Sequence, residues 1–297
     1  MNAKTSSYPI KSIASRVIPL WMRKGKDREL CLRYWVEAHG PLVARNRGLH
    51  EYRQHHFESS GAAVWPDVAG VRRDWLPGWQ PDGMPEVTTA LNGPNTESAV
   101  VTTPLFLKDE SNVFDRSLMY RAEPEGSIWH RPSRDDANAH LRVVVFLRRR
   151  AASDRAEFSR WLHEDVSAQL VHDRRIGELR TYTFLPYEET KGVVAKDSDV
   201  DHDHPASEQF HALLIASGHS RDDLAGAFAE LARSLPNQGD HIEAAWSVNV
   251  RKTFVVVAEG QITTVGLRGA YVDELIRQMG AENQVADDVR ALFVPAM

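Results

Sequence analysis

His39, Tyr52 and His56 are the residues whose types and spacing point to chemistry. A histidine near its ordinary pKa of ~6.5 both takes and gives a proton at working pH. Tyr52 and His56, four residues apart on a strand, share one face and can hydrogen-bond a substrate carbonyl or phenol. His55 points the opposite way, so a single cavity takes His56 and not His55. Read from the residues alone, His39 fits a hydrogen-bonded structural histidine at a helix break as well as a proton carrier. Tyr52 and His56 likewise fit an ordinary polar strand face.

These residues depend on two elements. "KDRELCLRYWVEAHG" (26–40) is a helix with Leu30, Cys31, Tyr34, Trp35 and Ala38 on one face, and Gly40-Pro41 is expected to break it. "GLHEYRQHHF" (48–57) is a strand with Tyr52, Gln54 and His56 on one side and Glu51, Arg53 and His55 on the other. A strand at 15–24 precedes them. The long connection "WPDVAGVRRDWLPGWQPDG" follows and reads as a functional loop or lid. The strand "MPEVTTA", the helix "TPLFLKDESNVFD" and the strand "RSLMYRAE" complete βαββαβ. After "GSIWHRPSRDDANA", read as a linker, the order restarts at an offset of about 125 residues. Strands at 140–150, 177–187, 209–218 and 242–252 alternate with helices at 153–173 and 220–235. A hairpin turning at Glu259-Gly260 and a helix stopped by Gly280 finish the chain.

The order βαββαβ is the split ferredoxin-like motif. The expected class is α+β. Two ferredoxin-like modules (1–130 and 131–252) face each other as a barrel, followed by a hairpin-and-helix extension (253–297).

"RYWVEAHGPLVAR", "GLHEYRQHHF" and "DGMPEV…KDESNVFD" together resemble the EthD-like family of the dimeric α+β barrel superfamily. The resemblance covers about the first 125 residues and runs through Tyr34-Trp35, His39-x-Pro41, Gly48-Leu49, Tyr52, His56 and Asp109-Glu110. It implies a cofactor-independent lyase or isomerase acting on a small hydrophobic, oxygenated ring compound by dehydration, decarboxylation or lactone isomerisation. In that reading His39 transfers protons with support from Tyr52 and His56. Trp35, Gln54, Trp75 and Trp79 line the substrate, with Trp35 also suited to core packing. In the second half Asp165 stands where His39 stands in the first, so one site per chain is expected. The rival readings are a non-enzymatic protein that binds a hydrophobic metabolite and, more remotely, a haem-dependent oxidase.

Composition sets the outer bounds. The chain has 297 residues, 42% hydrophobic and 26% charged, with a net charge of -5, which argues against a nucleic-acid or anionic-membrane partner. The single cysteine, Cys31, excludes an intrachain disulfide and a Cys-rich zinc site. No signal peptide or membrane span is read, so a cytoplasmic homodimer binding a small molecule is expected. "DSDVDHDHP" (197–204) has the acids and histidines of a metal loop but lacks the turn glycine and late glutamate of a calcium site. It is read as a solvated loop, and no metal or cofactor is expected.

Overall fold

Eight antiparallel strands close on themselves in the computed structural model, which describes residues 7–9, 13–46, 48–60, 63–90, 96–130, 141–190 and 198–293. The first half supplies β1 (Ile13–Val17), β2 (Leu49–Phe57), β3 (Gly83–Ala90) and β4 (Tyr120–His130). The second supplies β5 (Leu141–Arg149), β6 (Leu179–Phe184), β7 (Ala212–Gly218) and β8 (Ile242–Ala258). Pairing runs β4-β1-β3-β2 in the first set and β8-β5-β7-β6 in the second, the same order twice. Ladders β2–β8 and β4–β6 join the sets into a ring, which removes the open sheet edges.

Helices α1 (28–43) and α2 (Thr96–Val113) cover the first set. Helices α3 (155–172) and α4 (Arg221–Ser234) cover the second, and α5 (Ala270–Met279) follows β8. Asp27 caps α1 by accepting from Leu30 N, and Asp154 caps α3 by accepting from Ala156 N and Glu157 N. Both helices then widen into a π-turn that begins at a tryptophan, Trp35–His39 and Trp161–Val166. The π-turn explains why Gly40-Pro41 does not break α1. Gly40 N–H reaches back to Trp35 O, and Pro41 starts the last segment, where its missing donor is not needed. The buried stripe of α1 is Cys31, Leu32, Trp35, Val36 and His39, whereas Leu30 and Tyr34, expected inside, are 48% and 37% exposed.

Two expected boundaries move. β8 runs unbroken through residue 252, pairing β5 over its first part and β2 from Val250 to Val257. Residues 125–130 are strand rather than linker, with Ser127 opposite Tyr182. The remaining linker, 131–140, lies outside the described residues. The expected hairpin is present, with Val257 opposite Ile262 and both Glu259 (φ 51°) and Gly260 (φ 78°) left-handed as a tight two-residue turn requires. No helix among the described residues is long and apolar enough to cross a membrane.

Candidate active site

Both faces of β2 are buried, and they face different places. Tyr52, Gln54 and His56 lie under α1, not in the barrel. The His56 ring stacks on Trp35 at 4.7 Å, Gln54 Nε2 donates to Trp35 O at 3.2 Å, and Tyr52 packs with Val36. Glu51, Arg53 and His55 face the lumen instead. The expected orientation is thus reversed. In a closed barrel covered by helices, the outer face of a strand is as dry as the inner one, so alternation separates two faces without saying which is inside.

His39 lies in the same helix layer. Its Nδ1 is 2.9 Å from Asp109 Oδ2 on α2, and its ring meets the Phe114 edge at 5.5 Å. Asp109 also accepts from Tyr34 Oη at 2.7 Å and from Asn112 Nδ2 at 3.0 Å. Burial pushes the Asp109 carboxyl up, but these hydrogen bonds outweigh it and hold the group down at about 2. Asp109 is therefore a carboxylate that accepts from His39 Nδ1–H. Glu110, next along α2, has the opposite balance: burial and the Asp109 charge raise it to about 8. Tyr34 is raised to about 12, chiefly by its hydrogen bond to Asp109.

Tyr52 and His56 are less available than the sequence suggests. Gln54 Nε2 donates to Tyr52 Oη at 2.8 Å, which lowers the phenol's pKa, but burial outweighs it and raises it overall. Burial and nearby cations, Arg251 first, lower His56 to about 3, so it is a neutral ring wedged against Trp35. Among the described residues no hydrogen bond links His39 to Tyr52 or His56. The connection is through rings, from His39 to Phe114 to Trp35 to His56. Gly40 and Gly83 permit this close approach. A Cβ on Gly40 would lie 2.8 Å from Gln54 Nε2, and one on Gly83 would lie 2.6 Å from the Trp35 ring.

The lumen holds a charged network that was not anticipated. Arg180 Nη1 donates to Glu86 Oε1 at 2.7 Å and approaches Glu51 Oε2 at 3.4 Å, while its Nε donates to Glu178 Oε1 at 2.8 Å. His55 Nε2 is 3.2 Å from Glu86 Oε2, and Tyr182 Oη also donates to Glu86. Burial opposes the Glu86 charge, yet Arg180, His55 and Arg53 hold its carboxyl well below the usual range. The available signal was charge at every second position in both halves, Glu51-x-Arg53-x-His55 and Glu178-x-Arg180.

The tryptophan loop divides. Trp65 packs against Phe228 in the second half's helix layer, while Trp75 stacks on Trp246 and Trp79 on His204 at one end of the barrel. Residues 198–204 are not a solvated loop. Asp201 pairs through its backbone with the segment 115–117 and binds Arg116, and His204 is buried with Nδ1 2.5 Å from Tyr120 Oη. Asp197 lies outside the described residues, among which no group of three metal-capable side chains converges. A groove of about 480 Å³ opens elsewhere, beside residues 250–255, and His39, Tyr52, His56, Trp35, Gln54, Trp75 and Trp79 do not line it.

No protein family and no curated protein matches this chain by sequence. Among solved structures it is similar to a candidate monooxygenase from Lactobacillus acidophilus, at 8% identity and TM-score 0.47, over 84% of this chain and 98% of that one. It is also similar to an anthrone oxidase-like protein, at 10% identity and TM-score 0.45, over 82% and 93% of the two chains. A variant of chlorite dismutase from Candidatus Nitrospira defluvii gives 8% identity and TM-score 0.42, over 81% and 92%.

Proposed function

We propose that this chain is two fused ferredoxin-like modules, the first of which is a cofactor-independent proton-transfer catalyst, a lyase or isomerase for a small hydrophobic, oxygenated ring compound. The observation that carries this reading is the His39–Asp109 pair. A carboxylate that fixes the tautomer of an imidazole is the arrangement by which a general base is oriented. His39 Nε2 takes a proton from substrate carbon, and Glu110, beside Asp109 on α2 and held protonated near neutrality, returns one to oxygen. Tyr52 and His56 act through packing. They hold Trp35 and Gln54, and hence α1, in place. Trp75 and Trp79 belong to the barrel end and leave the first-half layer to bind substrate through Trp35 and Phe114.

The rival reading, a protein that binds a metabolite without converting it, draws on the groove at 250–255. Homodimerisation stays part of the proposal, supported by exposed Tyr271 and Met279 on α5. The test is metabolite profiling of a deletion strain complemented with wild type or His39→Gln. The proposal expects a compound that accumulates in the deletion strain and persists with His39→Gln. On that compound, the purified variant should turn over about 10²- to 10⁴-fold more slowly. Full rescue by His39→Gln would remove His39 from the chemistry.

A further inference from the structure

β8 parts from β5 after Val250 and Arg142, yet stays paired to β2 as far as Val257. Among the described residues the barrel wall is therefore open along one edge of residues 251–254, before Thr263 bonds to the Val255 and Val256 carbonyls, and the groove lies there. Part of its lining faces the lumen: Arg142, Val250, Thr253 and Val255. The rest, including Lys252, Phe254 and residues of α5, comes from outside. The groove is a side entrance to the charged end of the barrel.

Two chains of polar contacts run inward from it. Thr253 Oγ1 is 3.0 Å from His55 Nδ1, His55 Nε2 is 3.2 Å from Glu86, and Glu86 accepts from Arg180 Nη1 at 2.7 Å. Arg142 Nη2 donates to Glu178 at 3.3 Å, and Glu178 accepts from Arg180 Nε at 2.8 Å. Both chains end on Arg180, which is 1% exposed. Its Nη2 has no hydrogen-bond partner among the described residues, and neither does the buried Ser15 Oγ on β1. Arg180 does not itself line the groove, since its guanidinium lies 4.2 Å from the Trp129 ring centre; the two chains tie the groove's Thr253 and Arg142 to the charged lumen.

The lining narrows the ligand. About 480 Å³ lies within the ~300–1,000 Å³ usual for small-molecule sites. At the rim Arg277 pairs with Asp273. Lys252 makes no ion pair among the described residues, and its ammonium lies 4.9 Å from the Phe254 ring centre. One uncommitted positive charge beside guanidinium forks suits a planar two-oxygen anion. Val250, Phe254, Val255 and Val265 supply apolar walls, and Asp273 and Glu274 at the rim repel a dianion such as a phosphate monoester.

We propose that this opening binds a small monocarboxylate with an apolar body. The carboxylate lies between Lys252 and Arg142, and the body lies against Val250, Phe254 and Val255. His39 does not line the site, which meets the first-half helix layer only where Phe254 touches His56, and the proposal does not depend on the proton-transfer reading. Isothermal titration of the full chain with benzoate tests it. Saturable binding is expected. Lys252→Glu, an exposed substitution that leaves the fold intact, and Val255→Trp, which fills the groove, should each weaken it by about tenfold or more. Benzamide, which has the shape without the charge, should bind weaker by a similar factor, and His39→Gln should leave benzoate affinity unchanged. No saturable benzoate binding, equal binding of benzamide, or affinity indifferent to both groove variants would overturn the proposal.

Discussion

The two helix layers of the barrel share a plan and differ in content. Under α3 and α4 one continuous apolar cluster of 21 buried residues fills the space between helix and sheet. Among the described residues, the corresponding space under α1 and α2 is split into two clusters of eight residues each, with His39, Gln54 and His56 between them. Even the shared features differ in origin. Trp35 stacks on His56 from β2, whereas Trp161 stacks on His241 from outside the strands. Asp165, the counterpart of His39, is exposed. A buried polar group opposes stability unless it is matched. The second layer buries Ser167, Thr181, Gln238 and His241 without dividing its apolar cluster, so what sets the first half apart is that its polar residues split the core.

The strongest way to break this comparison is to strike the lumen, which belongs to both halves. Arg180→Met leaves Glu86 and Glu51 buried without their cation and should cost about 3–5 kcal/mol. Adding Glu86→Gln should recover part of that loss, because the uncompensated charge is then gone. Urea unfolding should stay a single transition in each variant. Two separated transitions would mean that the halves are independent domains and not one ring.

Next in size are substitutions that compare the layers directly. Leu170→Ala in the second half opens a cavity in a continuous core and should cost about 2–5 kcal/mol. Tyr52→Phe in the first half keeps the ring and loses only the hydroxyl that accepts from Gln54, so about 1 kcal/mol is expected. Shifts of equal size in urea midpoint would show that the first layer is packed as tightly as the second.

What the sequence could reveal follows from what alternation and caps encode. The repeated strand–helix order and the turn at Glu259-Gly260 are local signals, and each was legible. The lumen network was not, because its members lie on four strands from both halves and meet only when the ring closes. The placement of Tyr52 and His56 was missed for a related reason: nothing along β2 says which of its two dry faces a helix covers. His39 was found, but its partner Asp109 sits 70 residues away on α2, and sequence spacing cannot report that contact. The stretch 198–204 looked solvated by composition, although Asp199 pairs with Arg23, Asp201 pairs with Arg116 and His204 is buried.

The smallest predicted effect is also the most specific to the first half. Burial, with the Asp109 charge adding to it, raises the Glu110 carboxyl from 4.5 to about 8. A carboxyl whose folded pKa lies above its unfolded value holds its proton more tightly in the fold. Its contribution to stability is fully present below about pH 4.5 and is lost as pH rises through about 8. Glu110→Gln keeps the shape and removes the titration. Wild type and Glu110→Gln should therefore unfold at the same urea concentration near the acid end of that window, and the variant should become the more stable of the two as the pH approaches the alkaline end. Asp109→Asn removes the neighbouring negative charge, so it should narrow the gap that Glu110→Gln opens. In the second half α4 offers only Leu224, Ala227, Phe228 and Leu231 as buried residues, so no substitution there can produce this dependence. Parallel pH profiles for wild type and Glu110→Gln would mean that Glu110 ionises at its ordinary value in the fold. The acid partner assigned to His39 would then be lost, while the His39–Asp109 pair itself would stand.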